Sequence, residues 1–128
     1  MSSKKGSRLE RELMQMFYDA GYGVVRSAGS GVSRYPAPDI IVGNGKKILA
    51  VECKASKSST VYIEPEQVEG LLEFSKKFGA QALIGVRFNY EDWRFLPPEG
   101  LERTEGQKYK VSRAAAEKSG KSFSAVAS

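Results

Sequence analysis

No histidine occurs among the 128 residues, and Cys53 is the only cysteine. The first absence excludes triads built on imidazole, histidine–metal endonuclease motifs and imidazole acid–base catalysis. Chemistry in this chain must run on carboxylates, lysine, hydroxyl groups, or a metal ion with its water. The second absence excludes an intramolecular disulfide and argues against a zinc site built from cysteine. No apolar run is long enough to span a bilayer, and Met1-Ser2-Ser3-Lys4-Lys5 lacks the apolar core of a signal peptide. The expectation is a soluble, intracellular protein with no membrane partner. Acidic charge is also in short supply: 15 Asp and Glu face 20 Lys and Arg, for a formal net charge of +5. That balance favours a polyanionic partner. The length suits one domain with a modest core, and no internal repeat divides it.

What is present reads as alternating helices and strands. Leu9, Leu13, Met16, Phe17 and Ala20 recur with the period of an amphipathic helix. Ser7, with Glu10 three residues on, reads as its capping box; Ser3 is the alternative cap, and Gly21 and Gly23 close the helix. Residues 24–28 read as a short strand, and the Gly-, Ser- and Pro-rich stretch 29–38 is expected to be a mobile loop. Two apolar runs then flank Asn44-Gly45, a strong hairpin signal that predicts a two-residue type I′ turn. Residues 60–63 predict another strand. Pro65 suits the first turn of a second helix ending at Phe78 before Gly79. Its apolar positions Val68, Leu71, Leu72, Phe74 and Phe78 make a stripe wider than one buried face requires. Residues 82–88 and 93–96 predict an antiparallel pair stopped by Pro97-Pro98. Beyond about Lys110 the composition turns to Ala, Ser, Lys and Gly, so the end of the chain is expected to be flexible or loosely helical.

The hairpin carries the chemistry. Pro38-Asp39-Ile40-Ile41-Val42 and Leu49-Ala50-Val51-Glu52-Cys53-Lys54-Ala55 look like buried strands, yet each holds charge. Burying an unpaired carboxylate is costly, and strand interiors are poor in Asp and Glu. A two-residue turn pairs Gly43 with Lys46 and Asp39 with Ala50. Asp39, Glu52 and Lys54 then share one face and one end of the hairpin, because side chains repeat every second residue. A three-residue turn would reverse that parity. The plain alternative is a solvated outer face, since a Glu–Lys pair two apart is ordinary. Against it, the apolar runs leave no polar alternation, so both faces of the hairpin are expected to be covered. Two carboxylates and an ammonium in such a place fit a divalent cation with a phosphate.

Asp39, thirteen positions before Glu52-Cys53-Lys54 and preceded by Pro38, resembles the PD-(D/E)XK nuclease signature. The likeness extends further. Lys5-Gly6-Ser7-Arg8-Leu9-Glu10-Arg11-Glu12-Leu13, Val25-Arg26-Ser27-Ala28-Gly29-Ser30, Gly43-Asn44-Gly45-Lys46-Lys47, Glu73-Phe74-Ser75-Lys76-Lys77-Phe78-Gly79 and Trp93-Arg94-Phe95 resemble the archaeal-type Holliday junction resolvases in order and spacing. The resemblance covers about residues 4–96.

It implies an α/β restriction-endonuclease-like fold, a central mixed sheet flanked by helices; the composition shift, not the resemblance, divides the chain into a nuclease domain over 1–111 and a tail over 112–128. The resemblance also implies a homodimeric, magnesium-dependent endonuclease, with manganese as a substitute, that resolves four-way DNA junctions by paired symmetric nicks in recombination and repair. Its place would be cytoplasmic and nucleoid-associated, with any recombination or replication partners left unspecified. The implied catalytic set is Glu10, Asp39, Glu52 and Lys54. Asp39 and Glu52 would hold the metal with the backbone carbonyl of Cys53, and Glu10 would complete the cluster directly or through water. Arg26 and Ser30 match positions near the scissile phosphate and in the loop, and Gln67 is a candidate for supporting the site from the second helix. Lys4, Lys5, Arg8, Arg11, Arg26, Arg34 and Lys57, with Lys76 and Lys77 as additions, form the basic set for DNA. Phe74 and Phe78 are the dimer-interface candidates. The competing readings are another endonuclease of the same fold, of restriction, nicking or mismatch type, and a non-catalytic DNA-binding module.

Overall fold

A computed structural model describes residues 4–27 and 35–128. The side chains of residues 4–6 lie outside the description, and so do residues 28–34 with Ser30 and Arg34.

The first helix, α1, spans Lys4–Asp19. Leu9, Leu13 and Phe17 are buried, whereas Met16 is 36% exposed and Ala20 lies past the helix end. Because the helix starts at Lys4, Ser7 sits inside it and is not its cap; the alternative, Ser3, lies outside the described residues. Gly21, at φ 96, takes the left-handed conformation that ends the helix.

The central sheet has the order β1-β2-β3-β5-β6, from Gly23–Arg26, Ile40–Gly43, Ile48–Ser56, Gln81–Phe88 and Arg94–Leu96. Only β3 and β5 run parallel, and the crossover between them carries β4 (Thr60–Ile63) and α2 (Pro65–Phe78). The sheet is therefore mixed, and both its faces are covered. Leu49 and Val51 of β3 join Leu9, Leu13, Phe17 and Phe95 in one core. Ala50, the alternate residue, joins Val68 and Leu71 of α2 in a second core with Ile84 and Val86. Space is tight at Gly85, where β5 meets β6: an added methyl would stand 3.1 Å from the Phe95 ring.

The hairpin register differs from the two-residue prediction. Ile40 pairs with Val51 and Gly43 with Ile48, leaving a four-residue connection from Asn44 to Lys47. The cause is the Asn44 side chain, whose Oδ1 accepts the amides of both Lys46 and Lys47 at 2.9 Å. Two extra residues preserve the parity, so Asp39, Glu52 and Lys54 keep a common face. The change moves Asp39 from opposite Ala50 to the position opposite Glu52, one step beyond the Ile40–Val51 pair.

The chain end is better ordered than its composition suggested. β8 (Tyr109–Ser112) lies between β4 and β7 (Glu102–Arg103) in a second, three-stranded sheet. It is followed by α3 (Arg113–Ser119) and α4 (Phe123–Ala127), each opened by a serine that accepts an amide three residues on, Ser112 from Ala115 and Ser122 from Ala125. Val126 is buried, and the Phe123 ring packs on Phe17 with centroids 4.8 Å apart. Lys47 ties the end to the hairpin by donating to the Val126 and Ser128 carbonyls at 2.6 and 2.8 Å. Of the two expectations for the tail, flexible or loosely helical, the structure shows the helical one, with the two helices docked on the core through buried Ala116 and Val126 and partly buried Phe123.

Candidate active site

β2 and β3 bring Asp39, Glu52 and Lys54 to one end of the sheet, on the side covered by α2. Asp39 precedes β2 at the Ser27 end of β1, where the Ser27 amide donates to its carbonyl at 2.9 Å. Its carboxylate Oδ2 accepts the Cys53 amide at 2.8 Å, from the strand that carries Glu52 and Lys54. Glu52 is only 8% exposed.

Electrostatics sets this pair apart. Burial, then the charge of Asp39, pushes the Glu52 carboxyl up to about 8, with Lys54 opposing. Asp39 is also raised, first by burial and further by Glu10, while the Cys53 amide and Lys54 pull it down. The Cys53 thiol is raised as well, mainly by burial, so it is no thiolate nucleophile. Two adjacent carboxylates, both pushed up by burial and by neighbouring negative charge, form a hard-oxygen donor set suited to a divalent cation such as magnesium or manganese. The residues present fit such an ion: Asp39 and Glu52 through side chains, with the Cys53 carbonyl beside them in sequence.

Glu10 approaches from α1, the opposite layer, and its carboxylate is already engaged. Arg26 Nε donates to Glu10 Oε1 at 3.0 Å, and Arg26 Nη2 donates to Ser7 Oγ at 2.9 Å. Both ion-pair partners are mostly buried. Among the described residues no group of three or more Asp, Glu or Cys side chains forms a ready-made metal cage. Glu10 thus stands in an ion pair with Arg26 rather than in a three-carboxylate cluster with Asp39 and Glu52. Ser7, read as a cap, instead buttresses Arg26.

Lys54 is half-buried, and its ammonium donates to Gln67 Oε1 at 3.1 Å. Gln67, the residue expected to support the site from the second helix, stands three residues after Glu64 at the start of α2. Of the basic set, Arg8 and Arg11 are exposed on α1 and Lys57 is exposed just after β3. Arg8 pairs with Glu12, and Lys77 with Glu73, across one helical turn. Arg87, absent from the expected set, also donates to Glu12, at 3.3 Å. Phe74 and Phe78 stack at 4.8 Å, Phe78 is 51% exposed and Leu72 40%.

A helix-flanked mixed sheet with Asp and Glu-X-Lys at adjacent strand ends is the arrangement of a PD-(D/E)XK-type nuclease fold. The family model for archaeal Holliday junction resolvases (Hjc) matches residues 1–126. Crossover junction endodeoxyribonuclease Hjc of Archaeoglobus fulgidus is 45% identical over 101 residues, covering 79% of this chain and 74% of that one. The Hjc of Sulfolobus acidocaldarius is 39% identical over 112 residues, covering 85% and 78%. The solved structure of A. fulgidus Hjc, described as a Holliday junction resolvase from an archaeal hyperthermophile, matches with a TM-score of 0.89 and 38% identity, over 96% of this chain and all of that one. The chain belongs to the archaeal Holliday junction resolvase family.

Proposed function

We infer that this chain is a Holliday junction resolvase, a DNA endonuclease that cuts four-way junctions by hydrolysing phosphodiester bonds. The observation that carries the catalytic reading is the convergence of Asp39, Glu52 and Lys54 at one sheet end, with the Asp39 carboxylate bonded to the strand that holds the other two. Hydrolysis requires a water in line with the P–O3′ bond, neutralisation of charge on the phosphoryl oxygens, and departure of the 3′-oxygen with a proton. Asp39 and Glu52, with the Cys53 carbonyl, are the proposed holders of magnesium, or manganese in its place. When bound, such an ion withdraws charge from the phosphoryl group and lowers the pKa of water. Lys54 places a compact cation beside the phosphate, where negative charge grows in the transition state. Arg26, held between Glu10 and Ser7, supplies a second cation on the other side of the sheet end.

The exposed bases on α1 and Lys57 suit sequence-independent phosphate contacts, which position DNA without reading it. Paired nicks on two strands require two sites. The stacked Phe74 and Phe78, four residues apart on α2 and with Phe78 half exposed, form an apolar face suited to a two-fold homodimer. Among the described residues no helix is long and apolar enough to cross a membrane. The direct test of the metal assignment is junction cleavage with magnesium, with manganese, and with chelator. Cuts in both metal conditions and none in chelator are expected; undiminished cutting in chelator would remove the basis for the carboxylate roles.

A further inference from the structure

Lys54 does not reach the site unaided. Its four-carbon stem gives the ammonium many rotamers, and the 3.1 Å bond to Gln67 Oε1 selects among them. That acceptor is itself fixed: the same oxygen takes the Glu64 amide at 3.4 Å, tying it to the first turn of α2. α2 packs on β3 through Val68 and Leu71 against Ala50. The amide on the helix and the ammonium on the strand are therefore set by one half-buried contact between two packed elements. An amide oxygen accepts without adding negative charge, so it holds the ammonium and leaves its positive charge for the phosphate. A carboxylate in the same place would hold it more tightly and cancel that charge.

We propose that Gln67 is a positioning residue for catalysis, orienting the Lys54 ammonium toward the scissile phosphate through a neutral hydrogen bond. The proposal rests on the reading of Lys54 as the cation beside that phosphate.

The experiment compares four variants, Gln67→Met, Gln67→Glu, Glu64→Ala and Lys54→Met, with the unaltered protein. Single-turnover cleavage of a labelled four-way junction in magnesium gives the rate at saturation, junction binding in chelator gives Kd, and thermal melting reports the fold. Gln67→Met and Gln67→Glu are each expected to slow cleavage by about 10-fold or more with Kd little changed, the range typical of outer-shell partners. Gln67→Glu is expected to melt no lower than the parent, because glutamate at this helix position keeps the acceptor for the Glu64 amide. Glu64→Ala loosens the same helix start without touching Lys54 and is expected to cleave at the parental rate. A parental rate in Gln67→Met alongside a slow Lys54→Met overturns the role of Gln67 and leaves Lys54 standing. Equal slowing in Glu64→Ala and Gln67→Met assigns the effect to helix order and also overturns it. A parental rate in Lys54→Met overturns the reading of Lys54 itself.

Discussion

The Cys53 amide donates to Asp39 Oδ2 at 2.8 Å, joining two residues fourteen positions apart at the open end of the hairpin. β2 begins at Ile40, so beyond that point a side chain, not a ladder of backbone bonds, holds Asp39 against β3. The same carboxylate thus fixes the local geometry and supplies charge.

Substitutions that keep the shape separate those two roles. Asp39→Asn retains an oxygen able to accept the Cys53 amide, and Glu52→Gln retains the volume of a buried side chain. Both are expected to bind a four-way junction as tightly as the parent while cleavage falls by about two orders of magnitude or more. Gel-shift binding in chelator and single-turnover cleavage in magnesium measure the two quantities. Full cleavage by either variant would remove that carboxylate from the site.

The raised Glu52 carboxyl makes stability depend on pH in a defined direction. Its folded value is about 8 against an ordinary 4.5, so between those values the folded chain keeps a proton that the unfolded chain has lost. Stability of the metal-free protein is therefore expected to fall as pH rises through that window, with the Glu52 contribution fully present below 4.5. Metal binding needs the ionised pair and should tighten over the same range. Melting in chelator at several pH values checks the first effect, and Glu52→Gln should flatten the slope. A slope unchanged in that variant would place its origin elsewhere.

The Phe74–Phe78 face predicts an assembly. Sedimentation at micromolar concentration is expected to give a dimer, and Phe78→Glu a folded monomer, because a charge there would be buried in a self-complementary contact. A monomeric parent protein would contradict the two-site picture of paired cuts.

Phe123→Ala tests the docked chain end. The ring packs on Phe17 and lies 6.5 Å from Phe95, so its loss is expected to cost about 2 kcal/mol, below the range for a fully buried Phe. Denaturant unfolding gives the number. Unchanged stability is what a free tail would produce.

Much of this arrangement was legible from local chemistry. Pro65 and Gly79 fix both ends of α2, and their backbone preferences do not depend on tertiary contacts. The face shared by Asp39, Glu52 and Lys54 follows from strand periodicity and survives the longer turn. The register itself was not legible, because Asn44 has two ways to make a turn and its side-chain bonds to Lys46 and Lys47 decide between them. The docking of the chain end escaped notice because averaged composition hides three well-placed apolar residues. The contacts of Glu10 with Arg26 and of Lys54 with Gln67 join separate elements, and no spacing along the chain specifies them.

The most direct measurement is a cleavage map. The protein is incubated in magnesium with a four-way junction labelled on each strand in turn, and with a linear duplex of the same sequence. Cuts on two opposing strands at symmetry-related positions near the branch point, with the duplex left intact, are the expected result. Equal cutting of duplex and junction, or cuts unrelated to the branch point, would contradict the assignment of this chain as a junction resolvase.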